Sequence, residues 1–190
     1  MAGNEQNQDL IDVIVSDHRN VEEVFVELEN DAVTPERRKE LVDHAITELV
    51  RHSVAEEQHM YPVARRVLED GDQVAEHEIQ EHAEAESVMK ELEGMDATDS
   101  RYDELVRSLV ADIRHHVADE ESELLPRLRR ACSQEELMEL GRKVANAKKT
   151  APTRPHPKAP DTPPANRLLD PGAGMIDRMR DALTGQTTRH

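Results

Sequence analysis

Residues 51–62 read Arg-His-Ser-Val-Ala-Glu-Glu-Gln-His-Met-Tyr-Pro, and residues 115–126 read His-His-Val-Ala-Asp-Glu-Glu-Ser-Glu-Leu-Leu-Pro. Set 64 residues apart, the two stretches share a kernel: His52 falls on His116, Glu56 on Glu120 and Pro62 on Pro126. Within each kernel the histidine and glutamate are four residues apart. On a helix that is about one turn, so both side chains leave the same face roughly 6 Å apart. The same offset carries His18 onto His82, with Val15/Ile79, Asp17/Glu81, Val24/Val88, Phe25/Met89 and Leu28/Leu92 agreeing around them. The chain is therefore an internal duplication. Each half supplies a lone histidine on one helix and His-x-x-x-Glu on the next.

Apolar residues at helical spacing place these motifs on four helices. The first spans about residues 9–30 and carries Leu10, Ile14, Val21, Phe25 and Leu28 in one stripe with His18. Thr34-Pro35 then reads as an N-cap followed by proline at the first helical position. The second helix is expected from 35 to 69, kinked by Pro62, whose ring meets the carbonyl of Gln58. Asp70-Gly71-Asp72 is the turn. The third helix is expected over about 73–93, closed by Gly94, and the fourth over about 99–131 with a kink at Pro126. Short connections between long helices predict an all-α, up-down-up-down four-helix bundle over residues 9–131 with an internal two-fold repeat. Counted from the turn near residue 33, His18 and His52 differ by about one helical turn, which puts the four histidines at a similar height.

Ser133-Gln-Glu-Glu136 is a capping box that opens a short fifth helix, 133–147. From 148 the composition changes. Six prolines between 150 and 166 read as an extended linker, and 148–190 as a disordered tail. That tail holds eight Lys/Arg and four Asp/Glu, or +4, against a whole-chain charge of −17, so the rest carries −21. Met175, Ile176, Met179 and Leu183 could line one face of a short helix, a docking segment for weak self-association or a protein partner. Such a linker transmits little constraint, so the bundle is expected to be independent of whatever follows Ala147.

Composition excludes several classes. An aromatic content of 2% suits helices rather than a β-sandwich. The negative charge repels a phosphate backbone, so nucleic acid is not the expected partner. No run approaches the length of a membrane span. The N-terminal residues lack the basic and apolar regions of a secretory signal, and the lone Cys132 fits a reducing compartment, so a cytoplasmic location is expected.

A lone inward histidine is usually a satisfied core residue. Four in one layer with two inward glutamates are different, because burying them unpaired would cost several kcal/mol. Two divalent cations would remove that cost. Imidazole and carboxylate donors suit iron or manganese over metals that favour thiolate. His44, His59, His77 and His115 have no counterpart at the offset and read as surface residues. Spacing leaves the carboxylates open: Glu22 follows His18 by four residues and Glu86 follows His82 by four, so helices one and three also read His-x-x-x-Glu, and Glu57 and Glu121 adjoin the kernel acids.

His18, His52 with Glu56, His82, and His116 with Glu120 resemble the hemerythrin family in its bacterial hemerythrin-like, HHE cation-binding branch, over about residues 9–131. The resemblance implies a four-helix bundle and a non-heme di-iron centre, oxo- or hydroxo-bridged, with carboxylates from the second and fourth helices spanning the metals. It thereby favours Glu56 and Glu120, and implies metal ligands His18, His52, Glu56, His82, His116 and Glu120. The chain departs from the oxygen-carrying members, which place His-x-x-x-His on the third helix. Here Glu78 stands four residues before His82, and where those members have their fourth-helix acid this chain has Glu121. With four histidines, each of two six-coordinate irons keeps an open position. The implied ligands are small: hydrogen peroxide, dioxygen or nitric oxide. The implied activity is a catalase-like decomposition of peroxide in oxidative or nitrosative stress, with a non-catalytic oxygen or iron sensor as the alternative.

Overall fold

The structure is a computed structural model and describes residues 8–156. Every regular element among them is helical: α1 (Leu10–Leu28), α2 (Pro35–His59), α3 (Tyr61–Val67), α4 (Gly71–Glu93), α5 (Tyr102–Asp119), a π-helical turn (Glu120–Leu124), α6 (Leu125–Ala131) and α7 (Gln134–Thr150). They pack as a bundle. α1 lies against α2 and α7, α4 lies against α3 and α5, and α2 also meets α4 and α7.

The helix starts follow local chemistry. The Asp9 carboxylate accepts from the backbone N–H groups of Ile11 and Asp12, while the Asp12 carboxylate accepts from Asp9 N–H, closing a capping box. Thr34 caps α2 ahead of Pro35, and Ser133 caps α7. Asp9 also receives Arg129 and Gln134, which ties the end of α6 and the start of α7 to the start of α1. Gly71 allows the α3–α4 turn to close: a Cβ there would sit 2.1 Å from the Ala64 carbonyl oxygen. Gly141 lets α7 approach the chain before α1, where a Cβ would lie 2.6 Å from the Gln8 carbonyl.

The two expected kinks are sharper than bends. The helix expected over 35–69 divides at Met60 into α2 and α3, with Pro62 in the first turn of α3, where its missing N–H costs nothing. The helix expected over 99–131 runs as α5, the π turn and α6. Leu125 N–H reaches back five residues to the Glu120 carbonyl, one longer than an α-helical bond. This widening makes room for Pro126. Both breaks lie within a turn of the motif glutamates.

Apolar burial forms two clusters. One gathers Val21, Phe25, Leu49, Val50, Ala85, Met89, Leu109 and Ile113, and the other Leu10, Ile14, Ala55, Met60, Tyr61, Ala75, Leu124 and Leu128. On each of the four long helical runs, the motif histidine falls where membership changes from one cluster to the other. A polar layer thus lies between two apolar ones, and both insulate it from water.

α7 continues past its expected end near Ala147 to Thr150. Residues 151–156 then lie on the bundle: the Thr47 hydroxyl donates to the Thr153 carbonyl at 3.2 Å, Arg154 pairs with Glu93 at 2.7 Å, and His156 N–H donates to Glu86 at 2.6 Å. The expected docking face at Met175, Ile176, Met179 and Leu183, and the rest of the expected tail, lie outside the described residues. No helix among the described residues is long and apolar enough to cross a membrane.

Candidate metal centre

His18 comes from α1, His52 and Glu56 from α2, His82 from α4, His116 from α5 and Glu120 from the π turn. All six are buried, and both glutamates are wholly so. The rings meet in two pairs, His18 with His52 at 5.0 Å between centroids and His82 with His116 at 4.9 Å. Glu56 lies 3.2 Å from His52 Nε2 and 3.5 Å from His82 Nε2. Glu120 lies 3.4 Å from His18 Nε2 and 3.9 Å from His116 Nε2. Each carboxylate therefore touches the histidine of its own kernel and the lone histidine of the other half. The donor atoms form overlapping groups: His18, His52, Glu56 and Glu120, then Glu56, His82 and His116, then Glu78, His116 and Glu120.

The outer nitrogen of each ring meets an acid. His18 Nδ1 is 2.9 Å from Glu121, His52 Nδ1 is 3.4 Å from Asp17, His82 Nδ1 is 3.0 Å from Glu57, and His116 Nδ1 is 2.8 Å from Glu81. These four acids obey the duplication, since Asp17 and Glu81 share the 64-residue offset, as do Glu57 and Glu121. An acid at Nδ1 fixes the proton there and leaves the Nε2 lone pair pointing inward. His82 Nε2 and His116 Nε2 consequently face each other at 3.2 Å. Two lone pairs so placed repel unless a cation or a proton lies between them.

Metal fit can be tested on this geometry. His18 Nε2, His52 Nε2, Glu56 Oε1, Glu78 Oε2 and Glu120 Oε2 are buried without a hydrogen-bond partner; their neighbours lie close but at angles unsuited to one. Orphaned acceptors of this kind are rare and costly in a folded protein. Burial, reinforced by the charge of Glu120, pushes the Glu56 carboxyl well above the usual carboxylate range. Burial also acts on Glu120, but the His18 contact and the charge of His116 outweigh it and hold that group at about 2. Two adjoining carboxylates away from water cannot both ionise cheaply, so without metal they share one proton. Burial, with His116 alongside, keeps His82 far below the usual histidine range and hence neutral, the form that ligates. Burial likewise lowers His52. His116 is the exception: burial lowers it, but Glu78, Glu120 and Glu81 outweigh that and lift it to about 9, so a cation binding there must displace a proton. The donor set fits divalent cations of nitrogen and oxygen preference.

Of the alternatives that spacing left open, Glu22 pairs with Arg114 at 2.7 Å and Glu86 accepts from His156 N–H, while Glu56 and Glu120 occupy the centre. Glu78 is buried, lies 3.1 Å from His116 Nδ1 and belongs to the third group. His77 and His115 are exposed, His44 and His59 half-buried, and none of the four belongs to a donor group. Tyr61 was absent from the expected site. Its hydroxyl lies 3.1 Å from His82 Nε2, 3.2 Å from Glu120 Oε1 and 3.3 Å from Glu56 Oε2, at the middle of the cluster. Burial and the neighbouring carboxylates push its pKa well up, so it keeps its proton.

The fold and this layer define an all-helical protein with a buried histidine–carboxylate site suited to metal. The chain belongs to the hemerythrin family: residues 9–128 match the hemerythrin HHE cation binding domain. It is similar to an uncharacterized hemerythrin-like protein of Schizosaccharomyces pombe, 30% identical over 175 residues that cover 90% of this chain and 85% of that one. It is also similar to a DNA nickase of a Nostoc species, 28% identical over 137 residues, 71% of this chain but only 38% of the nickase. No solved structure matches.

Proposed function

We propose that the protein holds two iron ions, ligated by His18, His52, Glu56, His82, His116 and Glu120, and uses them to bind or decompose a small oxidant: hydrogen peroxide, dioxygen or nitric oxide. The observation that carries this reading is the convergence of four buried histidines on two fully buried carboxylates, with His18 Nε2, His52 Nε2, Glu56 Oε1 and Glu120 Oε2 left without a hydrogen-bond partner among the described residues. The donors divide by half, His18 with His52 and His82 with His116, and both central carboxylates reach both groups. That division favours two ions spanned by Glu56 and Glu120. The order in which the four helical runs pass between the apolar clusters supports the up-down-up-down arrangement such a centre needs.

An iron pair would supply one-electron redox change at each ion and a place for a small ligand to bind. The protein's own contributions are separate. The acids at Nδ1 orient the rings and raise their donor strength. The Tyr61 hydroxyl stores a proton within hydrogen-bond distance of both carboxylates. The two apolar layers exclude water, so a charge formed in the layer is felt strongly. A role in oxidative or nitrosative stress, in a reducing cytoplasm, follows from that chemistry and from the lone Cys132. The nickase relative does not change the reading, because the shared segment is a minor part of that protein and this chain's net charge of −17 disfavours nucleic acid.

The test is metal analysis of the purified protein with its optical spectrum, followed by hydrogen peroxide turnover per iron. Two irons per chain with turnover are expected. Two irons without turnover would favour the sensor, and metal-free protein that cannot be loaded would end the reading.

A further inference from the structure

The oxidants named above are no larger than two or three water molecules, yet the site opens onto far more space. A chamber of about 290 Å³ lies between α1 and α5 and shares its lining with all four histidines. Liquid water takes about 30 Å³ per molecule, and an apolar cavity of about 150 Å³ is enough to bind benzene. Two ions with a bridging oxygen at the histidine layer would fill about one or two waters' worth of it, and the rest is still several times what a diatomic needs. Beyond the histidines, Asp17 and Ser53, its inner lining is apolar: Val21, Phe25, Leu49, Ile113 and Val117. Close-packed interiors do not keep voids of this size idle, because their walls forfeit dispersion contacts.

The rim narrows the class of occupant. Arg19 pairs with Glu121 at 2.6 Å, and Arg114 pairs with Glu22 at 2.7 Å and Glu29 at 2.6 Å. These ion pairs join α1 to α5 and the π turn at the opening. Both rim arginines are thus already neutralised, and an anionic ligand would have to break a pair to be held. Arg114 also lies 6.0 Å from the centre of the Phe25 ring. An uncharged ligand needs none of these charges and gains from the aliphatic and aromatic wall.

We propose that this chamber binds a compact, uncharged, apolar organic molecule, a single ring with a short branch or a branched alkyl group of about nine or ten carbons, seated against the histidine layer. The inference rests on the metal reading and deepens it: the site admits an organic body beside the metals, so its ligands are not confined to diatomics and hydrogen peroxide.

The probe is isopropylbenzene, used anaerobically and without peroxide because its benzylic C–H is readily oxidised, so that binding alone is read. The full-length protein is first assayed for metal, and saturation-transfer NMR and calorimetry then measure binding. A dissociation constant below about 1 mM is expected, with 4-isopropylbenzoate at least ten-fold weaker. Val21→Phe and Ile113→Phe, neither of them at a proposed ligand, should each weaken isopropylbenzene at least ten-fold while metal content and helicity stay unchanged. Because either variant could misfold, proximity is read in the wild-type protein as well. Ferrous protein should broaden the bound probe's proton resonances, and zinc-loaded protein should not. No binding to protein that carries two metals overturns the inference and leaves the metal reading intact. So does binding that neither folded variant weakens, or a probe the irons do not broaden. Equal binding of the benzoate overturns the requirement for an uncharged ligand. A protein that takes up no metal overturns the earlier reading instead, and is recognised before any probe is added.

Discussion

Residues 15–62 and 79–126 build the same two contacts twice and then diverge. Asp17 holds His52 and Glu81 holds His116; Glu57 holds His82 and Glu121 holds His18. Each pair is one contact repeated at the 64-residue offset. At the same offset Tyr61 faces Leu125. The first half thus places a hydroxyl at the centre, where the second places only hydrocarbon. The breaks differ as well: the first half divides its helix at Met60, and the second stretches through a π turn at Glu120. Paired symmetry suits the holding of two like ions, which needs like donors on both sides. The asymmetry lies where a ligand would meet a proton donor, which only one side has to supply.

The comparison is tested most severely at the centre. Glu56→Ala and Glu120→Ala should each remove most of the bound metal, because each carboxylate touches a histidine of both groups. Glu22→Ala and Glu86→Ala should keep the metal, since those side chains are engaged at the rim and with residue 156. Loss of metal should also lower the melting temperature, by about 5–10 °C, if binding contributes roughly 3 kcal/mol. Metal analysis and a thermal melt read both. Retention in the Glu56 and Glu120 variants with loss in the other two would move the bridges to α1 and α4.

The outer acids should give a smaller and matched effect. Asp17→Asn and Glu81→Gln each replace a carboxylate at Nδ1 with an amide that can present the wrong atom. Changes to such partners typically cost 10–100-fold in metal affinity. The two variants should fall within that range and within a few-fold of each other in a competition assay against a chelator. A ten-fold gap between them would show that the halves do not hold their metals alike.

Much of this was legible from the chain. The offset exposed the duplication, and the His-x-x-x-Glu spacing exposed the layer, because an α-helix converts four residues into one turn on one face. The outer acids were less visible. The chain has 41 Asp and Glu, and an acid beside a histidine is ordinary in such a composition. Their signal was persistence at the offset, which Asp17/Glu81 displayed without revealing that each serves the histidine of the following helix. Tyr61 left no trace, because its partner in the repeat is Leu125 and helical periodicity reads both as core. The breaks were foreseen at the two prolines but not their form: a ring in the first turn of a new helix and a ring accommodated by a widened turn are the same residue in sequence.

Tyr61 sharpens the comparison next. Tyr61→Phe leaves only hydrocarbon at this position in both halves, keeping packing nearly unchanged and removing one hydroxyl. Metal should remain within about two-fold, because the six proposed ligands are untouched. The optical spectrum should shift, and peroxide turnover per iron should fall by about ten-fold, the low end of what a positioned proton donor contributes. Unchanged turnover would make the hydroxyl a packing feature. Loss of metal would make it a ligand.

The smallest effect expected comes from outside the repeat. Lys148, near the end of α7, pairs with Asp17, and Asp17 in turn contacts His52. Burial pushes the Asp17 carboxyl up, but His52 and Lys148 outweigh it and hold the group below its ordinary range. Lys148 thus helps, after His52, to hold charged the acid that orients a proposed ligand. It sits beyond residue 128, where the family match ends, and the second half has no equivalent lysine on Glu81, which meets exposed His77 instead. The expectation that everything after Ala147 is separable from the bundle therefore needs a finer boundary. Truncation after His156 keeps Lys148 and the segment that lies on α2 and α4, and should leave metal release unchanged. Truncation after Ala147 removes both. Lys148→Met in the full chain isolates the lysine, since methionine preserves most of the aliphatic packing of the stem. It should speed release of metal to a chelator by about two- to five-fold, because the acid at Nδ1 survives and only its neutralising partner is lost. Lys148→Arg should restore slow release. If Lys148→Met releases metal at the wild-type rate while truncation after Ala147 does not, the contribution of this region comes from burial by residues 151–156, and the lysine is a surface pair of no consequence to the site.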